Sequence, residues 1–312
     1  MHPALSVIFF TVASGAGYGL LALTGVFAAT GRVAEDGWFG FAALTLALGA
    51  IVFGLLSSTR HLGHPERAWR ALSQWRSSWL SREGVAALAS LVPAGLLGLV
   101  FLFGSGQGWP IQSLGLTSAG LSVVTVWCTA MIYRSLTPIR QWNHPLVVAN
   151  YLALALMTGS LWCAAVATLS GGPAPLAMAV ALVAIVIAAA LKLAYWSSID
   201  RAPRALTAAD ATGLRGPVRL FEAPHSQDNY LLKEMGFRIA RKHAARLRRI
   251  AVIAGFVLPS LLVAVALLSS TIAAPAAVLA ALCGTAGVLI ERWLFFAEAK
   301  HTVTLYYGAA SV

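Results

Sequence analysis

Two side chains in this 312-residue sequence stand where proton chemistry can be done: the imidazole of His61 and the carboxylate of Glu83. They bracket RHLGHPERAWRALSQWRSSWLSRE, residues 60–83, which gathers five arginines, two histidines, three tryptophans and two glutamates. Histidine titrates near neutrality, and a carboxyl group can pass a proton to a substrate within hydrogen-bond reach. At the depth where lipid meets water, such a pair can hydrogen-bond the two oxygens of a quinone. It can also exchange the two protons that accompany a quinone's two electrons. Arg60, Arg82, His64 and Glu291 are the groups expected to support the pair. Each residue also has a plainer reading. His61 alone is an exposed loop histidine, His64 before Pro65 a turn residue, and Glu83 a helix-start charge or a partner of Arg82 or Arg60.

The elements that must position these groups follow from composition. The chain is 59% hydrophobic and 11% charged, with a mean hydropathy of +0.78. Soluble domains carry roughly 25% charged residues. Eight apolar runs are long enough to span a bilayer: 4–29, 38–59, 84–104, 114–134, 146–169, 175–198, 250–271 and 274–297. A spanning helix needs about 20 such residues. Gly and Pro punctuate most of the joints between them. The expectation is an all-α integral membrane protein, one domain over residues 1–312, built as a bundle of eight transmembrane helices. MHPALSVIFF lacks the basic start of a signal peptide and opens a run longer than a signal's apolar core, so it reads as a retained helix.

Charge orients the bundle. With eight spans, both termini and the loops 60–82, 135–145 and 199–249 share one side. Of 22 Lys and Arg residues, Arg32 alone falls clearly on the other side, while Lys192 and Arg292 lie inside helices. The positive-inside rule makes the basic side, and both termini, cytoplasmic. The same rule accounts for the net charge of +11 without nucleic acid. Lys192 is expected to snorkel to the interface. Glu291 needs a partner on a neighbouring helix, because Arg292 points about 100° away around its own helix; a proton-conducting role is the sharper reading. Trp38, Trp69, Trp79, Trp142, Tyr195, Trp196, Trp293, Tyr306 and Tyr307 are expected as an interfacial aromatic belt. The stretch NYLLKEMGFRIARKHAARLRR alternates apolar and basic residues at near-helical spacing. It reads as an interfacial helix on anionic lipid or as a docking surface for a cytoplasmic partner.

Other chemistries are poorly served. Cys128, Cys163 and Cys283 sit in apolar runs with no zinc or iron–sulfur spacing, so no metal site is expected. All seven histidines lie in loops or at helix ends, which disfavours a haem held between helices. SGQGWP lacks the Lys-Ser/Thr of a phosphate loop, and no hydrolytic constellation is visible, so no catalytic residue is assigned. A transporter would want polar or broken helices near the midplane, and a repeat; the sequence shows little of either. A lipid- or partner-binding scaffold without a redox role is the remaining alternative.

The stretch HLGHPERAWRAL…SSWLSRE, the start HPALSVIFFTVASGAGYGLLAL and the eight-span layout resemble the membrane-anchor subunit family of dimethyl sulfoxide reductase over most of the chain. The ending ERWLFFAEAKHTVTLYYG and the segment NYLLKEMGFRIARKHA are more similar to the anchors of that family's cytoplasmic sulfite-oxidising members. The resemblance implies a three-part complex of the bacterial inner membrane. Its large subunit holds a bis-molybdopterin-guanine-dinucleotide molybdenum site. Its ferredoxin-like subunit holds four iron–sulfur clusters. The anchor exchanges electrons with ubiquinone or menaquinone and holds no haem. The family's quinone-site histidine matches His61, in HLG, and its glutamate matches Glu83, in SRE. Because the basic loops and both residues share the side assigned as cytoplasmic, the iron–sulfur subunit is expected there. That favours sulfite oxidation over sulfoxide or related reduction by menaquinol.

Overall fold

The computed structural model describes residues 5–33, 37–59, 64–103, 108–201, 206–219, 221–222, 238–307, 309 and 311–312. Eight helices long and apolar enough to cross a membrane dominate it. They are α1 (Leu5–Ala29), α2 (Trp38–Thr59), α3 (Trp79–Phe103), α4 (Trp109–Arg134), α5 (Leu146–Ser170), α6 (Ala174–Asp200), α7 (Ala244–Leu268) and α8 (Ala273–Ala297). No strand occurs among the described residues; an isolated bridge joins Thr207 and Ser311. This is the all-α solution that lipid enforces, since a helix satisfies every backbone donor and acceptor within its own segment.

Three helices begin earlier than their apolar runs. α3 starts at Trp79, α4 at Trp109 and α7 at Ala244, rather than near 84, 114 and 250. Interfacial tryptophans and arginines continue the backbone hydrogen bonding although they add nothing to hydropathy. The shift matters most in α3, where it moves Glu83 from the helix start into its second turn.

α1 is the most enclosed helix and packs against α2, α4, α5 and α8. Its sequence VASGAGYGLLALTG supplies the small residues that let backbones touch. A Cβ at Gly19 would run into the Ala155 carbonyl of α5, and one at Gly25 into the Gly115 carbonyl of α4. Replacing Gly19 by Val should therefore force α1 from α5 and cost about 3 kcal/mol. Thermal unfolding of the purified protein in detergent reads this directly, and an unchanged midpoint would contradict the packing. Around α1, α3 lies on α4, α6 on α5, and α7 on α8.

The basic end of the bundle is tied together by polar contacts. Arg248, at the start of α7, grips Glu298 through Nε (2.8 Å) and Asp200 through Nη1 (2.6 Å), joining the ends of three helices. This arginine is thus a structural clamp rather than a free docking charge. The chain after α8 folds back over neighbouring loops, with Thr302 donating to the Pro138 carbonyl (2.5 Å) and Tyr306 to the Ala211 carbonyl (3.0 Å).

Candidate functional site

A 3₁₀ helix, Pro65–Gln74, follows α2 and lies against the start of α3. Ser81 Oγ donates to the Ala71 carbonyl (2.5 Å), and Arg82 donates to the carbonyls of Trp75 (2.9 Å) and Arg76 (2.7 Å). Arg82 also lies 4.2 Å from the centre of the Trp79 ring, which packs edge-on against Trp127 of α4. These contacts commit Arg82 to the loop, not to Glu83. His64 is exposed and pairs with Glu66 (3.0 Å). Arg60 and His61 lie outside the described residues.

Glu83 turns inward and is only 4% exposed. Among the described residues no Lys, Arg or His lies within ion-pair distance of it; its hydrogen bond is with Thr129 of α4. The Thr129 hydroxyl also lies 3.0 Å from the Thr125 carbonyl. A hydroxyl has one proton and two lone pairs. It can donate to an ionised Glu83, or turn its proton to Thr125 and accept from a protonated Glu83. The local geometry therefore tolerates both states of the carboxyl group, as a proton-exchanging group requires.

A second buried polar centre lies at the same end of the bundle. Lys192 of α6 and Glu291 of α8 form an ion pair, each with 2% of its side chain exposed. Arg292 Nη1 reaches Glu291 Oε2 at 3.2 Å. Lys192 does not snorkel: about 12 Å of helix separates it from the end of α6, and an internal carboxylate offers a closer partner than water. Arg292, expected to point away, bends back to the same carboxylate. Aromatic faces wrap both cations, with Lys192 Nζ 4.4 Å from the Tyr195 ring and 5.0 Å from Trp196, and Arg292 3.7 Å from Tyr151. Tyr195 and Trp196 are thus buried in this cage, not set in an interfacial belt.

Between the two centres stands an aromatic cluster of Tyr133, Trp142, Tyr151, Phe295 and Phe296, with Tyr133 and Tyr151 stacked at 5.8 Å. Tyr18 of α1, Tyr133 and Tyr151 all lie within electrostatic reach of Glu83. Thr129, Tyr18 and the Lys192 partnership escaped the sequence reading. One signal was present: Lys192 and Glu291 sit at similar depth near the ends of their helices.

Near the mouth of this region His144 precedes α5. Its Nδ1 accepts from the Leu146 backbone N–H (3.2 Å), which places the ring proton on Nε2, 2.9 Å from Ser198 Oγ. Burial, with the charges of Arg134 and Arg140 beside it, holds the imidazole below its usual range.

Residues 1–308 match the family model described as DMSO reductase anchor subunit (DmsC). The chain is 33% identical to a sulfite dehydrogenase subunit of Allochromatium vinosum, over the full length of both proteins. It is 29% identical to the anaerobic dimethyl sulfoxide reductase chain YnfH of Escherichia coli over 117 residues, covering 36% of this chain and 39% of that one.

Proposed function

Because the chain belongs to the DMSO reductase anchor subunit (DmsC) family, we propose that it anchors a molybdenum and iron–sulfur oxidoreductase and passes electrons between that enzyme and quinone. The observation that carries the proposal is Glu83: a buried carboxyl group with no cationic partner among the described residues, on a threonine that serves both of its protonation states. Reduction of one quinone takes two electrons, supplied by the iron–sulfur partner, and two protons. Glu83 exchanges one proton with a quinone oxygen. His61, in the segment between α2 and the 3₁₀ helix, exchanges the other. An open apolar groove of about 590 Å³ lies at the same end of the bundle, lined by Leu5, Phe9, Phe53 and Leu56. It suits the isoprenoid tail.

The iron–sulfur subunit docks on the basic face, which is cytoplasmic, and the chain lies in a bacterial inner membrane with both termini inside. Arg70 and Arg76 lie 5.6 and 5.5 Å from the Trp69 and Trp75 rings, and both tryptophans are exposed. Such Arg–Trp pairs are characteristic of interface anchors. Sulfite oxidation is the favoured reaction, because the likeness to the sulfite dehydrogenase protein runs the whole length of both chains. The partial likeness to the dimethyl sulfoxide reductase chain keeps sulfoxide reduction as the second reading. Purifying the native complex through a tag on this chain tests the assignment. Iron–sulfur and molybdenum subunits should co-purify, with sulfite-dependent quinone reduction. Recovery of the chain alone, without molybdenum or iron, would overturn it.

A further inference from the structure

The loop between α4 and α5 and the last turn of α6 enclose a recess on the basic face that the quinone site leaves unused. It offers about 150 Å³ of accessible space and is lined by Arg140, Gln141, His144, Ser198 and Ile199. Among the described residues no carboxylate lines it. Its polar lining is a set of donors, and most are held in that role by a bond on their other side.

His144 takes the Leu146 backbone N–H on Nδ1 (3.2 Å), so Nε2 carries the ring proton and donates it to Ser198 Oγ (2.9 Å). A hydroxyl has one proton and two lone pairs. Other hydroxyls of the bundle, such as Ser160 and Thr168, commit that proton to a carbonyl one turn back. Ser198 has His144 as its partner, and its own proton is left to donate. The Lys300 backbone N–H donates to Gln141 Oε1 (3.1 Å), which orients the amide and leaves its NH2 group as a further donor. Arg140 adds a full positive charge, and Arg134, held by Asn143 (2.9 Å), acts with it on His144. Asp200, the nearest acidic residue along the chain, is engaged by Arg248 (2.6 Å). The carbonyl end of α6, which would repel an anion, is partly covered, because the Arg201 N–H sits on the Ser197 carbonyl (3.2 Å).

Donors around a positively charged space of this size fit a tetrahedral oxyanion. The position of the recess indicates its source. Ser198 lies two residues before the end of α6, where the apolar span gives way to the basic face. Ile187 and Val183, about three and four turns away on the same side of the helix, are exposed and offer a surface to acyl chains. A free ion would use only the head of this arrangement; a phospholipid uses all of it. Basic pockets between helices at this edge of a membrane bind acidic headgroups.

We propose that the recess is a binding site for the phosphate of an anionic phospholipid, with Arg140, Ser198 and Gln141 on its oxygens and His144 positioning Ser198. The lipid ties the α4–α5 loop to α6. Through the contacts of Lys300 with Gln141 and of Thr302 with Pro138, it also steadies the chain after α8.

Native mass spectrometry of the whole complex, purified in detergent and titrated with phosphatidylglycerol, tests this. Arg140→Gln and Ser198→Ala should each retain one phosphatidylglycerol fewer than wild type, with affinity at that seat about tenfold weaker, the loss expected of a charge-assisted hydrogen bond. Both positions are exposed, so neither substitution opens the core. Retention of phosphatidylcholine, whose phosphate is neutralised by its own choline, should be equal in all three proteins. Unchanged phosphatidylglycerol retention in both variants would overturn the proposal. So would displacement of the lipid by millimolar inorganic phosphate, which would make the recess a site for a free oxyanion. Loss of the iron–sulfur subunit from the Arg140→Gln complex, with phosphatidylglycerol retention intact, would assign the recess to an acidic side chain of that partner and overturn it too. Thermal unfolding gives a second readout: phosphatidylglycerol should raise the midpoint of the delipidated wild-type complex and leave that of Arg140→Gln unmoved. Equal rises in both would contradict the site.

Discussion

Replacing Glu83 by Gln should lower quinone-coupled turnover of the assembled complex at least ~100-fold, the range expected for loss of a positioned acid–base group. Turnover with a soluble dye should remain at the wild-type level. Gln matches the size of Glu and can still meet the Thr129 hydroxyl, so packing at this 4%-exposed position is preserved. What it cannot do is lose and regain a proton. Electrons still reach the partner's clusters and a dye that needs no proton from this chain. Parallel loss of both activities would instead point to failed assembly. Thr129→Val should have a smaller effect of the same kind, about tenfold, because it removes the hydroxyl that accommodates both states of Glu83 while leaving the carboxyl group itself.

The second large effect concerns the buried charge cluster and is asymmetric. One carboxylate, Glu291, stands between two cations, Lys192 and Arg292. Removing the anion by Glu291→Gln leaves two like charges facing each other out of water. Breaking a buried pair this way costs about 3–5 kcal/mol. Lys192→Met leaves Glu291 with Arg292, a one-to-one pair of opposite charges, and places an apolar side chain among Tyr195, Trp196 and Phe295. Its cost should be about 1 kcal/mol, because an apolar residue of similar volume often replaces a buried ion at little penalty. Unfolding midpoints of the two variants in detergent, measured side by side, check the order. Equal losses would mean that the cluster acts as a simple Lys–Glu pair and that Arg292 is compensated elsewhere.

How much of this was legible depended on whether one helix or several had to be known. The eight spans were legible because lipid demands long apolar segments and the apolar runs supply them. Their ends were not, since Trp79, Trp109 and the arginines before Ile250 continue helices while looking like loop. Glu83 drew attention as an acid among arginines at a helix edge. Its environment was illegible, because the threonine that serves it comes from α4 and the tyrosine behind it from α1. Lys192 shows the cost of one-helix reasoning. A lysine near a helix end should reach for water, and does so unless a carboxylate from another helix is nearer, as Glu291 is here. The belt reading of Tyr195 and Trp196 fails for the same reason: they flank an inward-facing lysine.

The central claim is that quinone is handled at the basic end of the bundle beside Glu83, and photoaffinity labelling of the native complex with an azidoquinone tests it most directly. Mass spectrometry of the labelled chain should place the adduct within residues 60–83 or the last turns of α4, and excess unlabelled quinone should suppress it. Adducts confined to the opposite end, around the α1–α2 and α3–α4 connections, or insensitive to competing quinone, would contradict the account.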